Sequence, residues 1–280
     1  MRAKFGPAGN SISFKQSKGV DLLKYLKSFG LSAYEYQCGM GVRISCEKAK
    51  EFGNSLDGIS ISVHAPYYIS LSSIYEEKRL KSVDYILKTA RVAKSMGATR
   101  IVVHSGSCMG LKRDDALNFS ISTLKNAVAA LREEGLQDVS ICPETMGKIN
   151  QLGDLFEVLK LCKIDESLIP CVDFGHLNAR TFGGLKIKSD YLAILNAIEN
   201  ELGFNRLRFF HAHFSKVEYT LKGGEKKHLT FSDCLYGPDW EPLAELIAKK
   251  NLAPTVICES AGTQAEDAEK MQNIYRKFFE

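Results

Sequence analysis

Along this chain, short apolar or β-branched runs alternate with longer stretches whose apolar residues recur every three to four positions. Those two periodicities separate buried strands from amphipathic helices. The strand-like runs cover residues 4–8, 33–38, 59–64, 100–105, 140–145, 169–176, 208–214 and 255–260. Between them, Leu80, Val83, Leu87, Ala90 and Ala93 form one helical stripe that stops before Gly97, and Leu117, Ile121, Leu124, Val128 and Leu131 form another before Gly135. The other intervals predict helices over residues 20–29, 47–56, 154–162, 192–202, 241–249 and 265–279. Eight strands alternating with eight helices, with no linker-like or low-complexity tract, predict a single (β/α)₈ TIM barrel domain over residues 1–280. An open doubly wound sheet would normally carry a Gly-rich phosphate loop after its first strand, and Gly6-Pro7-Ala8-Gly9 lacks that pattern.

Composition narrows this picture only slightly. The 280 residues suit one barrel of about the usual size. No signal-type apolar run follows Met1 and nowhere do about 18 apolar residues stand together, so a cytoplasmic chain is expected rather than a secreted or membrane-spanning one. The formal charge of +4 is too mild to announce nucleic-acid binding by itself. None of the eight cysteines forms a CxxC pair, and Cys142, Cys171 and Cys258 lie inside apolar runs, as reduced core thiols do. Cys108 and Cys234 fall in loops, where a thiolate zinc site is the less favoured reading.

The candidate chemistry lies where the strands end, because barrels of this type carry reactive groups at the C-terminal ends of their strands. Strand three ends at His64, strand four at His104, strand five at Glu144 and strand seven at His211-Ala212-His213. Strand eight ends at Glu259, and in strand six an apolar run stops at Asp173, with His176 three residues on. One such residue has a bland explanation: a strand-end Asp caps the next turn, and a strand-end His forms a structural hydrogen bond. Six neighbouring strands ending this way would crowd carboxylates and imidazoles into one small space, and divalent cations resolve that conflict. Histidine and carboxylate donors without sulfur suit Zn²⁺, with Mn²⁺ or Fe²⁺ as substitutes.

In the runs HAPYYI at His64, VVHSG at His104, PET at Glu144, DFGH at Asp173, HFS at His213 and CES at Glu259, the chain resembles the endonuclease IV family. These are abasic-site DNA repair enzymes, (β/α)₈ barrels holding a trinuclear zinc cluster, and the resemblance covers nearly the whole length. It implies that His64, His104 and Glu144 hold a first zinc, with Glu144 bridging to a second held by Asp173, His213 and Glu259. His176 and His228 would hold a third, while His211 would lie one layer deeper with a structural role. Glu144 and Glu259 would be the catalytic carboxylates, and the bond cut would be the phosphodiester 5′ to an abasic site in double-stranded DNA. The family places an Asp two residues before the final histidine, where this chain has Lys226. A shift of one residue would bring Glu225 there instead; otherwise the third site is expected to be weak or empty, with the Lys226 ammonium taking part of its role.

The resemblance also implies DNA contacts from Tyr67, matching a tyrosine that enters the opened duplex, and from Arg43, near the family's other inserted residue. Arg180 and Lys226, with Lys112, Arg113, Lys148, Lys186, Lys188, Lys216, Lys222 and Lys227, follow strand ends and are expected to ring the mouth. A monomer is expected, since one barrel holds a complete site. The chain resembles a neighbouring family as well, the sugar isomerases and epimerases related to xylose isomerase. That alternative implies one metal on Glu144, Asp173, His213 and Glu259, with His64 and His104 left to bind sugar.

Overall fold

A computed structural model describes residues 2–16, 21–108 and 110–279. The strands are β1 (Lys4–Pro7), β2 (Ala33–Gln37), β3 (Ser60–His64), β4 (Arg100–His104), β5 (Ser140–Glu144), β6 (Cys171–Asp173), β7 (His211–Phe214), β8 (Val217–Thr220), β9 (Gly224–His228) and β10 (Thr255–Cys258). Eight of them form a parallel sheet in the order β1-β10-β7-β6-β5-β4-β3-β2, and β8 and β9 make a separate antiparallel hairpin. The sheet curls until its edges meet: Ser32 N donates to Phe5 O at 3.0 Å and Gly9 N to Glu35 O at 2.9 Å. With helices following the strands around the outside, this is the expected TIM barrel. No described helix is long and apolar enough to cross a membrane.

Strand parity separates two interiors. Outward residues such as Val63, Ile101, Val103, Ile141, Val172, Ala212 and Val256 join the main apolar core under the helices. Inward residues form small clusters of their own, Ala8 with Ala33 and Ile257, and Val102 with Cys142 and Cys171. Two residues further along the same strands, the inward positions are His104, Glu144, Asp173 and Glu259. The parity that fills the barrel with small side chains therefore delivers the polar ones to its mouth. Cys142, Cys171 and Cys258 are buried free thiols, as expected.

Some boundaries differ from expectation for local reasons. The run 169–176 yields strand only at Cys171–Asp173, because the Asp173 side chain caps a helix over Phe174–Arg180. The run 208–214 starts late, at His211, because a short helix, Phe204–Arg208, follows Gly203 at φ 84°. Of the expected helix 20–29, Leu22–Ser28 is helical and Val20 lies outside the described residues. The hairpin was not anticipated, although Gly223-Gly224 beside the alternating Val217-Glu218-Tyr219-Thr220 is a turn signal.

Closure depends on one close approach. A Cβ at Gly6 would lie 1.8 Å from the Ala33 carbonyl oxygen, so β1 and β2 can meet only if this position is glycine. Gly6→Ala is expected to cost at least about 3 kcal/mol by urea denaturation, and an unchanged midpoint would contradict the closure described here.

Candidate metal centre

All six histidines of the chain gather in or just below the mouth of the barrel. Glu144, 1% exposed at the end of β5, lies between them. Its Oε2 stands 3.4 Å from Nε2 of both His64 and His104. Its Oε1 lies 3.0 Å from Nδ1 of His213 and 3.6 Å from Nδ1 of His176. The donor atoms of His64, His104 and Glu144 fall within 4.8 Å of one another, as do those of Glu144, Asp173, His213 and Glu259, and those of His176, His228 and Glu259. These three sets, sharing Glu144 and Glu259, contain every ligand expected from the sequence.

Backbone acceptors orient two of the imidazoles. His64 Nδ1 lies 2.8 Å from Ala65 O and His176 Nδ1 2.9 Å from Thr145 O. A carbonyl oxygen only accepts, so each Nδ1 carries a proton and each Nε2 turns toward the carboxylates. His228 is held through Nδ1 by Ser215 Oγ at 2.8 Å. Thr145 also locks the end of β6: Asp173 N donates to Thr145 Oγ1 at 2.8 Å, and that hydroxyl donates to Asp173 O at 3.3 Å. Asp173 takes the capping role foreseen for it and leaves its second oxygen free for the other. Its Oδ1 accepts from His176 N at 2.6 Å as a helix cap, while Oδ2 faces the mouth.

Glu144 Oε2, Asp173 Oδ2 and His176 Nε2 are buried without a hydrogen bond. Orphaned acceptors this deep are costly unless a cation meets them. Nitrogen and oxygen donors suit Zn²⁺, Mn²⁺ or Fe²⁺, the nearby Cys171 thiol is kept neutral by burial, and the residues present fit such ions. The charges agree. Burial opposes ionisation of Glu259, yet His213 and His228 outweigh it and hold the carboxyl at about 2, and Glu144 is likewise held well below its usual range by His213 and His64. Burial, only partly offset by His176, pushes Asp173 up to about 6. His104 is driven down to about 4, chiefly by burial.

The hairpin decides whether Glu225 or Lys226 stands beside His176. Glu218 pairs with Lys227 but Tyr219 pairs with Glu225, so Lys226 is the extra residue of a β-bulge. In a regular strand Lys226 would share a face with His228. The bulge turns Glu225 inward instead, with Oε2 3.5 Å from His176 Nε2, and turns Lys226 out to an exposed ion pair with Glu218. Of the two alternatives, the structure brings in Glu225, and the Lys226 ammonium does not reach this place. Gly147 makes room, since a Cβ there would lie 2.6 Å from Glu225 Cβ.

The expected DNA contacts fare unevenly. Tyr67 is 51% exposed, with its ring 5.4 Å from that of His64 and 5.6 Å from that of His104. It lines a cavity of about 650 Å³ over the ligands, together with Gln37, Lys148 and Gln151. Arg43 is not among the residues lining it. Arg180 instead holds the loop after β5, donating to the carbonyls of Met146, Lys148 and Gln151 at 3.2, 2.8 and 3.2 Å. Much of the basic ring is similarly engaged: Arg113 pairs with Glu157, Lys188 with Glu245, Lys227 with Glu218, and Lys216 donates to Asp233 O. Sequence reasoning also passes over Glu35, an acid inside the apolar run of β2 with the same inward parity as Gln37.

These shifts predict a pH dependence. Burial disfavours the imidazolium forms of His64 and His176, but Glu144 beside one and Asp173 beside the other outweigh it, raising both from 6.5 to about 9. A raised folded-state pKa gives stability that is complete below the unfolded value and lost as pH rises through the folded one. The melting temperature of metal-free protein should therefore fall between pH 6.5 and about 9. Divalent ions, which replace those protons, should abolish the fall. A flat profile without metal would contradict the cluster.

Known proteins share this architecture. An uncharacterised protein of Methanocaldococcus jannaschii, MJ0133, is 34% identical over 257 residues, 91% of each chain. A probable endonuclease 4 of Staphylococcus carnosus is 29% identical over 185 residues, which span 64% of this chain and 58% of that protein. Among solved structures, a D-tagatose 3-epimerase-like protein superposes with a TM-score of 0.72 at 20% identity over 99% of this chain and 97% of that one, a likeness of fold. The pattern of the xylose isomerase-like TIM barrel family matches residues 23–277, and this chain belongs to that family.

Proposed function

We propose that this protein is a metal-dependent phosphodiesterase that cleaves double-stranded DNA 5′ to abasic sites, acting as a cytoplasmic monomer with two or three divalent ions, zinc foremost. One observation carries the reading: Glu144 turns one oxygen to the pair His64 and His104 and the other to His213. A one-ion site does not need the first pair as ligands and would leave it to bind substrate. Similarity to a protein named probable endonuclease 4 supports the same reading.

On this reading His64, His104 and Glu144 hold one ion, and Glu144, Asp173, His213 and Glu259 a second. His176, His228 and Glu225 hold the third. Bound together, such ions supply an activated water and neutralise charge on the phosphoryl and leaving oxygens. Glu144 keeps the first two positions adjacent. Glu259, held ionised at the cavity wall, is placed to accept a hydrogen bond from the attacking water and orient it. Tyr67, exposed above His64 and His104, offers a flat apolar surface for a base that has lost its partner.

The second reading, a single-metal sugar isomerase or epimerase, is favoured by the set Glu144, Asp173, His213 and Glu259 standing complete without the other histidines. Cleavage of a duplex carrying one synthetic abasic site separates the two. Incision 5′ to the lesion, reduced on the order of 100-fold or more in Glu144→Gln, is expected. No incision, with a single ion per chain, would move the assignment to the sugar enzymes. In the same assay Glu225→Gln is expected to lower metal content and turnover together, whereas Lys226→Ala should change neither. The opposite ranking would remove Glu225 from the site.

A further inference from the structure

Glu35 is wholly buried inside the barrel, one layer below the mouth, and no role described so far uses it. Its Oε2 accepts from Ser62 Oγ at 2.8 Å and from His211 Nε2 at 3.0 Å. Its Oε1 accepts from Gln37 Nε2 at 3.1 Å and stands 3.1 Å from His213 Nε2 in an ion-pair contact. Four donor groups thus face one carboxylate, three in hydrogen bonds and His213 Nε2 at contact distance without one, and the carboxylate has no proton to give. His213 stands between carboxylates on both edges: Nε2 faces Glu35, while Nδ1 hydrogen-bonds Glu144 Oε1 at 3.0 Å and lies 3.5 Å from Glu259 Oε2. A cation seated among Nδ1, Glu144 and Glu259 would displace the Nδ1 proton and leave the Nε2 proton directed at Glu35. His64 and His176 are anchored the opposite way, through Nδ1 on carbonyl oxygens, and turn Nε2 to the same centre.

We infer that Glu35 is a positioning residue, holding His213 with its proton on Nε2 so that Nδ1 meets the ion shared with Glu144, Asp173 and Glu259. The inference rests on the proposed metal centre and adds the carboxylate beneath it. Cys171 is the other group close to that edge of His213, but its thiol is kept neutral by burial, so the carboxylate is the stronger acceptor. An amide at this position would offer one acceptor oxygen and one NH₂. At least one of the four donors would then face another donor. With the NH₂ toward His213, the ring would accept at Nε2, move its proton to Nδ1 and withdraw the ligand atom.

The test uses the full chain, labelled with ¹⁵N-histidine and loaded with ¹¹³Cd²⁺. In the wild-type protein, cadmium should couple to His213 Nδ1 while Nε2 carries the proton. Glu35→Gln should weaken cadmium binding at the His213 position by about 10- to 100-fold, with binding at the His64 and His104 position unchanged. Coupling through Nε2 in the wild type, or equal weakening at both positions in the variant, or none at either, would overturn the inference and leave the proposed function standing. Failure of the wild type to bind cadmium would overturn both. If Glu35→Gln does not fold, the wild-type spectrum alone decides.

Discussion

The arrangement of the mouth depends on keeping Glu144 ionised while it is almost entirely out of water. A lone carboxylate in that position would be far too costly, and four imidazoles close the gap: His64 and His104 at one oxygen, His213 and His176 at the other. The remaining features follow from that need. Thr145, next in sequence, ties the ends of β5 and β6 together and so brings Asp173 to a fixed depth. The carbonyls of Ala65 and Thr145 then aim two of the imidazoles. Without metal, protons on those rings balance the carboxylates. On the proposed reading, bound cations would replace those protons, so one charge plan would serve both states.

The fold was legible because both of its periodicities are strong. Inward positions two apart along β4, β5, β6 and β10 run from small or apolar residues to ligands, a change visible in Val102 to His104 and Cys142 to Glu144. The ligands were legible because no apolar strand has an internal use for Asp173. Glu35 escaped notice for a physical reason. Its partners Ser62, His211 and His213 come from strands 27, 176 and 178 residues away, and no local pattern marks a long-range hydrogen bond. The basic residues misled in the other direction. Position after a strand end says where a lysine is, whereas Lys188 on Glu245 and Arg113 on Glu157 show that nearby acids decide whether its charge is available.

The two readings of the centre differ less in ligands than in what surrounds them. Glu144, Asp173, His213 and Glu259 suit either chemistry, and the barrel that supports them is common to both. His64 and His104, with Tyr67 lying over them, are ligands in one reading and sugar-binding groups in the other. Function in this architecture is therefore written in the groups that flank a shared core of ligands, and not in that core.

The bulge at Lys226 carries a lesson of its own. Inserting one residue into a strand reverses the facing of everything before it, so the carboxylate beside His176 comes from a position whose parity in a regular strand would point it away. Alignment by column would record a lost acid at position 226 and infer a broken centre. Strands that can absorb a residue in this way let a binding site outlive the spacing that defined it.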